Sequence, residues 1–131
     1  MSDQKEIFGK QWQATRDYAE SLPQTAADCP FKEDFVTTVL RHRASGKWFG
    51  LLMKVPGRKV GRDTKEPLAL LNVKCLREDG IVARELFEGI LPAYHMNKTH
   101  WITVVLDGSV PQEFINRLVA KSYMLTRGKR L

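Results

Sequence analysis

Cysteine is scarce in this sequence and is not arranged as a set of metal ligands. The two cysteines, Cys29 and Cys75, form no CxxC pair and have no histidine at the spacing of a zinc site. We therefore expect two free thiols in a reducing cytoplasm, and the spacing alone leaves a single disulfide open. The pattern predicts no metal site and no cofactor.

Long hydrophobic runs are also absent. The longest apolar run, Trp48 to Met53, is far shorter than the roughly 20 residues that a membrane-spanning helix needs. The N-terminus has no basic start followed by an apolar stretch, as a secretory signal would have. We therefore expect a cytoplasmic protein without membrane contact, and the length of 131 residues predicts one domain, 1–131, with its own core.

Acidic residues are missing from one segment of the chain. No Asp or Glu lies between Phe35 and Arg62, whereas seven of the 21 basic residues lie there. This leaves 14 basic against 15 acidic residues elsewhere, so the segment accounts for the whole net charge of +6. A charge concentrated in this way is what an anionic partner would meet first.

Hydrophobic spacing predicts an α+β order of elements. A helical face over Glu6 to Leu22 precedes three strand-like runs, a short helix, a fourth strand and a final helix. Because the strands are grouped, we expect one mostly antiparallel sheet with the N- and C-terminal helices packed on one face. The predicted strands are Phe35–Leu40, Trp48–Val55, Leu68–Cys75 and Trp101–Leu106, and the short helix is Ile81–Glu88.

The connections between these elements differ in length. Ala44 to Gly46 is short enough for a hairpin, whereas Gln24 to Lys32 is predicted to be turn-like. The stretch from Pro56 to Pro67 exceeds the usual hairpin length, and loops of this length are often functional or mobile.

Capping residues predict where the last two helices begin and end. Asp79 is expected to cap the short helix, and Gly89 to end it in a left-handed conformation. Ser109 and Gln112 fit a capping box at the start of the final helix. The face of this helix that should pack on the sheet carries Phe114, Ile115, Leu118, Val119, Ser122 and Leu125.

Four stretches of the chain, taken together, resemble a known family. They are NVKC (72–75), ILPAYHMNKTHW (90–101), LDG (106–108) and SYMLT (122–126). They resemble the MmcQ/YjbR family over residues 18–126, which leaves a basic tail at 127–131. The resemblance implies a bacterial α+β protein with a CyaY-like, or double-wing, fold. It also implies the function predicted for that family, which is DNA binding.

The histidine-containing part of the longest motif allows two interpretations. His95 and His100 are five residues apart and lack a cysteine or carboxylate at zinc spacing, so metal binding is disfavoured. The favoured interpretation is a turn over Met96 to Thr99, with Asn97 in a left-handed conformation and with His100 and Trp101 at the start of a strand.

In the alternative interpretation, the same turn contacts a ligand. Lys98 would then hold an anion or a base together with His95 and His100, beside the indole of Trp101. Asn97 belongs to this motif in either case.

The function that we favour from the sequence is DNA binding through two basic connections between strands. We expect residues 41–47 and 54–62 to form two adjacent positive loops that straddle DNA phosphates without reading bases. The residues expected to contact phosphates are Arg41, Arg43, Lys47, Arg58, Lys59, Arg62 and, from the histidine-containing turn, Lys98. A merely solvated, lysine-rich sheet edge is the other explanation of this charge.

Catalysis is not indicated by any motif. The sequence has no phosphate-binding glycine loop, GxSxG or HExxH, and strand alternation places Cys75 on a buried face where a thiol is inert. We therefore expect a non-enzymatic monomer. The alternative to DNA binding is a protein-interaction or chaperone-like module that receives a partner peptide on its sheet. It is supported by more apolar side chains than the core is expected to take up, namely those of Trp48, Leu68, Leu70 and Trp101.

Overall fold

The computed structural model describes residues 9–32, 34 and 36–128, and within them three α-helices accompany six strands. The helices are α1 (Lys10–Ser21), α2 (Arg77–Leu86) and α3 (Gln112–Thr126). The strands are β1 (Thr25–Asp28), β2 (Thr38–His42), β3 (Trp48–Pro56), β4 (Pro67–Lys74), β5 (Ile90–Pro92) and β6 (Trp101–Val105). A short 3₁₀ turn, Gly57–Val60, follows β3. No helix in this part of the chain is long and apolar enough to cross a membrane.

The strands form one sheet in the order β1-β2-β3-β4-β6-β5, and every neighbouring pair is antiparallel. Its centre is aligned by apolar pairs, with Leu52 opposite Leu71 and Leu71 opposite Val104. Grouped strands with short or helical connections therefore produce the α+β fold that the order of elements predicts.

The main core lies between one face of the sheet and the helices. Trp12 of α1 and Ile115 of α3 belong to the same buried cluster as Leu52, Leu71 and Val104 of the central strands. Alternation along each strand sends these side chains to the helical face. The terminal helices thus pack on one face, as predicted from the sequence.

The end of α3 connects the helices to the strands through polar side chains. The Ser122 hydroxyl donates to the carbonyl of Phe49 at 2.6 Å and accepts the backbone N–H of Lys74 at 2.9 Å. It therefore satisfies backbone groups of β3 and β4 beside the first residue pair of that ladder, Gly50 with Val73. The serine of the SYMLT motif consequently has a structural role.

His42 lies in the core beneath this end of α3. Its ring packs between Phe49 and Tyr123, with centroid distances of 5.2 and 4.8 Å. Its Nε2 is 2.8 Å from the hydroxyl of Thr126, which donates its own hydrogen to the carbonyl of Ser122 at 2.7 Å. A hydroxyl has one hydrogen, so Nε2 must be the donor to Thr126.

Strand β2 begins later than predicted because a turn precedes it. The carboxylate of Asp34 accepts the backbone N–H groups of Val36 and Thr37, as well as the Thr37 hydroxyl. These bonds hold the pKa of Asp34 below its usual value, with the Thr37 hydroxyl contributing most. The strand therefore starts at Thr38, and Phe35, which we placed in it, lies outside the described residues.

The predicted caps of α2 and α3 are wrong. Helix α2 begins at Arg77, so Asp79 lies within its first turn and pairs with Lys121 at 3.1 Å. Gly89 does not have a positive φ; a Cβ there would overlap the Ser109 hydroxyl, so close packing requires the glycine. Ser109 donates to Asp107 at 2.7 Å and does not cap α3, which starts at Gln112.

Two edge strands and part of the helical face of α3 were also missed. The sequence TAAD of β1 has almost no β-branched residues and is a strand because it pairs with β2. Strand β5 has three residues and includes a proline, which edge strands tolerate. On α3, Leu125 is 41% exposed, whereas Tyr123 and Thr126 are buried in its place.

Acid should destabilise the protein through His42. Burial lowers the pKa of His42, and the nearby charges of Arg127 and Lys47 lower it further. As the pH falls below about 6.5, the unfolded chain takes up the proton before the folded protein does. Stability is therefore complete above that pH and decreases as the pH falls toward the lower folded pKa. Urea unfolding at about pH 7.5 and about pH 5.5 measures the decrease in the free energy of unfolding.

Variants separate this effect from general acid sensitivity. His42→Gln keeps a donor for Thr126 without titrating, so its stability should change less between the two pH values, from a lower starting level. His100→Gln, at an exposed position, should retain the full pH dependence. An unchanged pH dependence in His42→Gln would exclude His42 as the titrating group.

Candidate functional site

The two basic connections lie at opposite ends of β3. Residues 43–47 precede its first residue, Trp48, and residues 57–66 follow its last residue, Pro56. Its nine residues span eight steps of about 3.3 Å, which places these ends roughly 26 Å apart. The prediction of two adjacent positive loops is therefore wrong, since a rigid central strand separates them.

The arginines of the β2–β3 hairpin are already engaged within the fold. Arg41 makes a two-pronged contact with the carboxylate of Asp28, at 2.9 and 3.2 Å, across the β1–β2 pair. Arg43 donates to the carbonyl of Thr25 at 3.1 Å. Lys47 is exposed, and the tight turn before it matches the predicted hairpin. This end of the sheet thus has less uncompensated charge than its sequence indicates.

The β3–β4 connection folds over the second face of the sheet, which we define as the face opposite the helices. Gly57 and Arg58 donate backbone hydrogen bonds to Glu66 and Thr64, which closes the loop on itself. Val60 then packs against a second apolar cluster on this face. That cluster consists of the buried residues Met53, Val55, Leu70 and Val105.

Arg62 attaches the same loop to the neighbouring part of the chain. Its guanidinium donates to the carbonyl of Glu88 at 3.2 Å, just before β5 begins. Arg62 therefore has a structural partner, whereas Arg58 and Lys59 are exposed on the 3₁₀ turn. The loop is held beside β5 and the turn that follows it.

A cleft of about 430 Å³ lies between this loop and the segment after β5. Its lining residues are Lys59, Val60, Leu91, Pro92, Ala93, Tyr94, His95 and Lys98. The apolar residues belong to or adjoin the second cluster, and the basic ones come from two different connections. None of the described lining residues is acidic, so the lining combines basic side chains with an apolar floor, which favours an anionic ligand.

A buried ring of hydrogen bonds positions the segment after β5. The backbone N–H of Tyr94 donates to the Thr103 hydroxyl at 2.8 Å, and that hydroxyl donates to Asn72 Oδ1 at 2.5 Å. The Asn72 amide closes the ring by donating to the carbonyl of Tyr94 at 3.0 Å. Asn72 and Thr103 are both fully buried, so the bond between their side chains is made away from water.

The turn that follows is organised by Asn97 and Lys98. The Asn97 side chain accepts the backbone N–H groups of Thr99 and His100, at 2.8 and 3.0 Å. The Lys98 ammonium donates to the carbonyl of Ala93 at 2.8 Å. The predicted turn is therefore present, but the left-handed residue is His95, with φ of 60°, and not Asn97.

The remaining residues of the motif divide between the cleft and the sheet. The ring of His95 meets that of Tyr94 edge to face at 4.0 Å and lines the cleft. His100 accepts the N–H of Cys75 through its carbonyl, and Trp101 pairs with Lys74 as the first residue of β6. His95 and Lys98 thus share the cleft, whereas His100 and Trp101 fix the start of a strand.

Tyr94 is the site residue that sequence reasoning overlooked. It was noted only as part of the ILPAYHMNKTHW motif, because its contribution depends on a loop that precedes it by more than 30 residues. Lys59 and Lys98 were both expected to contact phosphates, but the sequence did not indicate that they line one cleft. The only available signal was that both are lysines in polar connections beside strands.

The two cysteines form no disulfide and lie in different environments. Cys75 is buried, as strand alternation predicts, and burial raises the pKa of its thiol, which disfavours the reactive thiolate. Cys29 is exposed, and its sulfur lies 3.6 Å from the Thr38 hydroxyl. Among the described residues, no three His, Cys, Asp or Glu side chains form a group that could hold a metal ion.

Comparison with known proteins gives consistent matches along most of the chain. The YjbR family model matches residues 20–125. The uncharacterised protein YyaQ of Bacillus subtilis is 39% identical over 103 residues, which are 79% of this chain and 86% of YyaQ. The uncharacterised protein YjbR of Escherichia coli K12 is 40% identical over 53 residues, which are 40% of this chain and 45% of that protein.

Solved structures share the same fold. A crystal structure of a Pseudomonas syringae protein superimposes with a TM-score of 0.79 at 35% identity, covering 97% of this chain and all of that one. A Deinococcus radiodurans protein gives a TM-score of 0.67 at 29% identity, covering 88% of this chain and 78% of that one.

Removal of the Thr103 hydroxyl should loosen the segment that lines the cleft. Thr103→Val leaves the Tyr94 N–H and Asn72 Oδ1 without their partner in a buried site, which should cost about 1–3 kcal/mol. Urea unfolding measures this cost, and amide hydrogen exchange at Tyr94 should become faster. Thr103→Ser retains the hydroxyl and should keep Tyr94 protected. Equal exchange rates at Tyr94 in both variants would show that the ring does not hold the segment.

Proposed function

The chain belongs to the YjbR family, and we propose that this member binds nucleic acid, with DNA as the expected partner, through phosphate contacts at the cleft. The observation that carries the proposal is the convergence of Lys59 and Lys98 on one cleft without an acidic lining residue. His95 adds a third nitrogen-bearing side chain to the same wall. Two lysines from separate connections suit consecutive phosphates better than a single small anion.

Charge supports a phosphate-bearing partner. The protein has a net charge of +6, and Arg58, Lys59 and Lys98 are exposed at or near the cleft. Lysine and arginine contacts to phosphates supply most of the affinity in sequence-independent binding, because they release counterions from the nucleic acid. The proposed binding therefore does not read bases and should weaken steeply as salt is added.

The shape of the cleft favours an unpaired strand over a duplex. Its floor includes Leu91 and the half-buried ring of Tyr94, which offer apolar surface below the lysines. Proteins that bind single strands combine a positive groove with aromatic surfaces on which bases stack. The phosphates of a duplex lie outside its bases and would leave this floor unused.

We propose that the protein acts by binding and not by catalysis. The buried thiol of Cys75 is held in its protonated form by its raised pKa and is not a suitable nucleophile. His95 packs against Tyr94, where it can contact a ligand without activating a neighbouring group. The proposal places a monomer in the cytoplasm, where the free thiols of Cys29 and Cys75 would remain reduced.

The alternative, a sheet that binds a peptide, was supported by apolar residues that we expected to exceed the core, and the structure does not expose them. Leu70 is completely buried, and Trp48, Leu68 and Trp101 are at least half-buried within the sheet and its contacts. Within the described residues, the exposed large apolar side chains lie elsewhere, on or beside the helices and at Phe31. They are Phe31, Leu76, Val82, Leu86, Met124 and Leu125.

Neutralising one lysine of the cleft should weaken DNA binding. Lys59→Gln should reduce the affinity for single-stranded DNA about fivefold, which corresponds to about 1 kcal/mol for an exposed ionic contact. The slope of log K against log salt should decrease by about 0.7, the value for one phosphate of a single strand. Fluorescence anisotropy with labelled random single-stranded and double-stranded DNA, from about 50 to about 200 mM salt, measures both.

The matched control is a lysine at the other end of β3. Lys47→Gln removes the same charge from the β2–β3 hairpin and should change neither affinity nor slope. Equal effects of the two substitutions would show that DNA is bound by a diffuse charged surface and not by the cleft. Absence of binding even at low salt would exclude DNA as the partner, and DNA binding that persists at high salt would contradict a site made of phosphate contacts.

A further inference from the structure

A second, smaller pocket of about 200 Å³ adjoins the cleft on the other side of Lys98. It lies between α2 and the segment leading into β6, and its basic lining residues are Arg77, Arg84 and Lys98. Lys98 is the residue that lines both the cleft and this pocket. A chain of phosphates that occupies the cleft would therefore reach the pocket across this one side chain.

The two arginines are presented together by the helix. Arg77 and Arg84 are seven residues apart, or two turns, and so lie on the same side of α2. Gly80 lies between them, and a Cβ at this position would come within 2.9 Å of the Cys75 sulfur. The glycine thus lets α2 approach the end of β4 closely and leaves backbone, not a side chain, between the arginines.

The positive charge of this pocket is not neutralised within the fold. The ion pairs among the described residues are Arg16 with Glu20, Arg41 with Asp28 and Lys121 with Asp79. None of them involves Arg77, Arg84 or Lys98. Glu78, Asp79 and Glu85 are neighbours in sequence of lining residues, but none of them belongs to the lining, and Asp79 pairs with Lys121 of α3. Three basic residues therefore line this pocket, and no acidic residue is among its described lining residues.

We infer that this pocket binds the terminal phosphate monoester of the nucleic-acid strand whose internal phosphates occupy the cleft. The inference rests on the proposed function of the cleft. An internal phosphodiester has one negative charge, whereas a phosphate monoester has between about 1.5 and 2 at neutral pH. Three cations around less than half the volume of the cleft match the monoester better. Arginine is also suited to it, since its planar fork binds phosphate oxygens in pairs.

The test compares oligonucleotides that differ only at their ends. Single-stranded DNA with a 5′-phosphate, with a 3′-phosphate or with hydroxyls at both ends is titrated by fluorescence anisotropy. The protein should bind one of the phosphorylated strands about tenfold more tightly than the unphosphorylated strand, as expected for charge-assisted hydrogen bonds. Arg84→Gln should abolish this preference while changing the affinity for the unphosphorylated strand by less than about twofold.

Arg117→Gln is the matched control, because it removes an exposed arginine from α3, away from the pocket lining. It should retain the full preference. Equal affinity of the protein for all three strands would overturn the inference and leave the proposed function intact. A preference that survives in Arg84→Gln would also overturn the assignment to this pocket.

If no strand binds at all, the proposed function is excluded. A separate measurement then tests the pocket by itself. Thermal unfolding is then followed with inorganic phosphate as the probe. A rise in melting temperature that is lost in Arg84→Gln and kept in Arg117→Gln would support a phosphate site at this pocket without nucleic acid. If phosphate raises the melting temperature of neither the unsubstituted protein nor Arg117→Gln, the pocket is excluded as a phosphate site.

Discussion

The buried amide of Asn72 is the constraint on which the second face of the sheet depends. An amide in the middle of β4, without access to water, must have both its oxygen and its nitrogen hydrogen-bonded. Thr103 on the adjacent strand satisfies the oxygen, and the carbonyl of Tyr94 accepts from the nitrogen. The chain after β5 is therefore forced to pass over β4 and β6 at this point. The cleft, the turn around Asn97 and the position of Lys98 follow from that requirement.

A sheet covered on both faces also explains why charges and apolar surface lie together. Leu70 and Leu71 are both completely buried although they point to opposite faces of β4. In the part of the chain that the structure describes, the helices cover one of these faces, and connections that carry basic residues cover the other. Lys59 and Lys98 consequently stand beside an apolar floor, where electrostatic interactions are stronger than in open water.

Much of the fold could be predicted because the central strands have their own local signals. The runs that became β3, β4 and β6 are rich in apolar and β-branched residues, and α1 and α3 have helical periodicity. The elements that were missed depend on tertiary contacts, as β1 depends on β2. The caps were misjudged for a related reason, since Ser109 and Asp79 found other partners, Asp107 and Lys121.

The candidate site was less predictable, because its residues come from segments that are far apart in sequence. Lys59 and Lys98 were named, but Tyr94 was not assigned to the site. The pairing of Arg77 with Arg84 was invisible because the helix was expected to begin at Ile81, which left Arg77 outside it. A cavity between elements has no sequence signature of its own until the register of those elements is known.

The distribution of charge along the sequence is a poor guide to the surface that a partner meets. Seven basic residues fall in one acid-free segment, but six of them form two groups that flank β3, whose ends are roughly 26 Å apart, and the seventh, Lys54, lies within it. At physiological ionic strength the Debye length is about 8 Å, so the two groups act almost independently. The local density of positive charge then matters more to a partner than the total charge of the segment. At the hairpin, Asp28 compensates Arg41, whereas Lys98 adds to Lys59 at the cleft and to Arg77 and Arg84 at the adjoining pocket. The basic lining of the cleft and of the adjoining pocket is therefore completed by Lys98, Arg77 and Arg84, which lie outside the segment that first indicated an anionic partner.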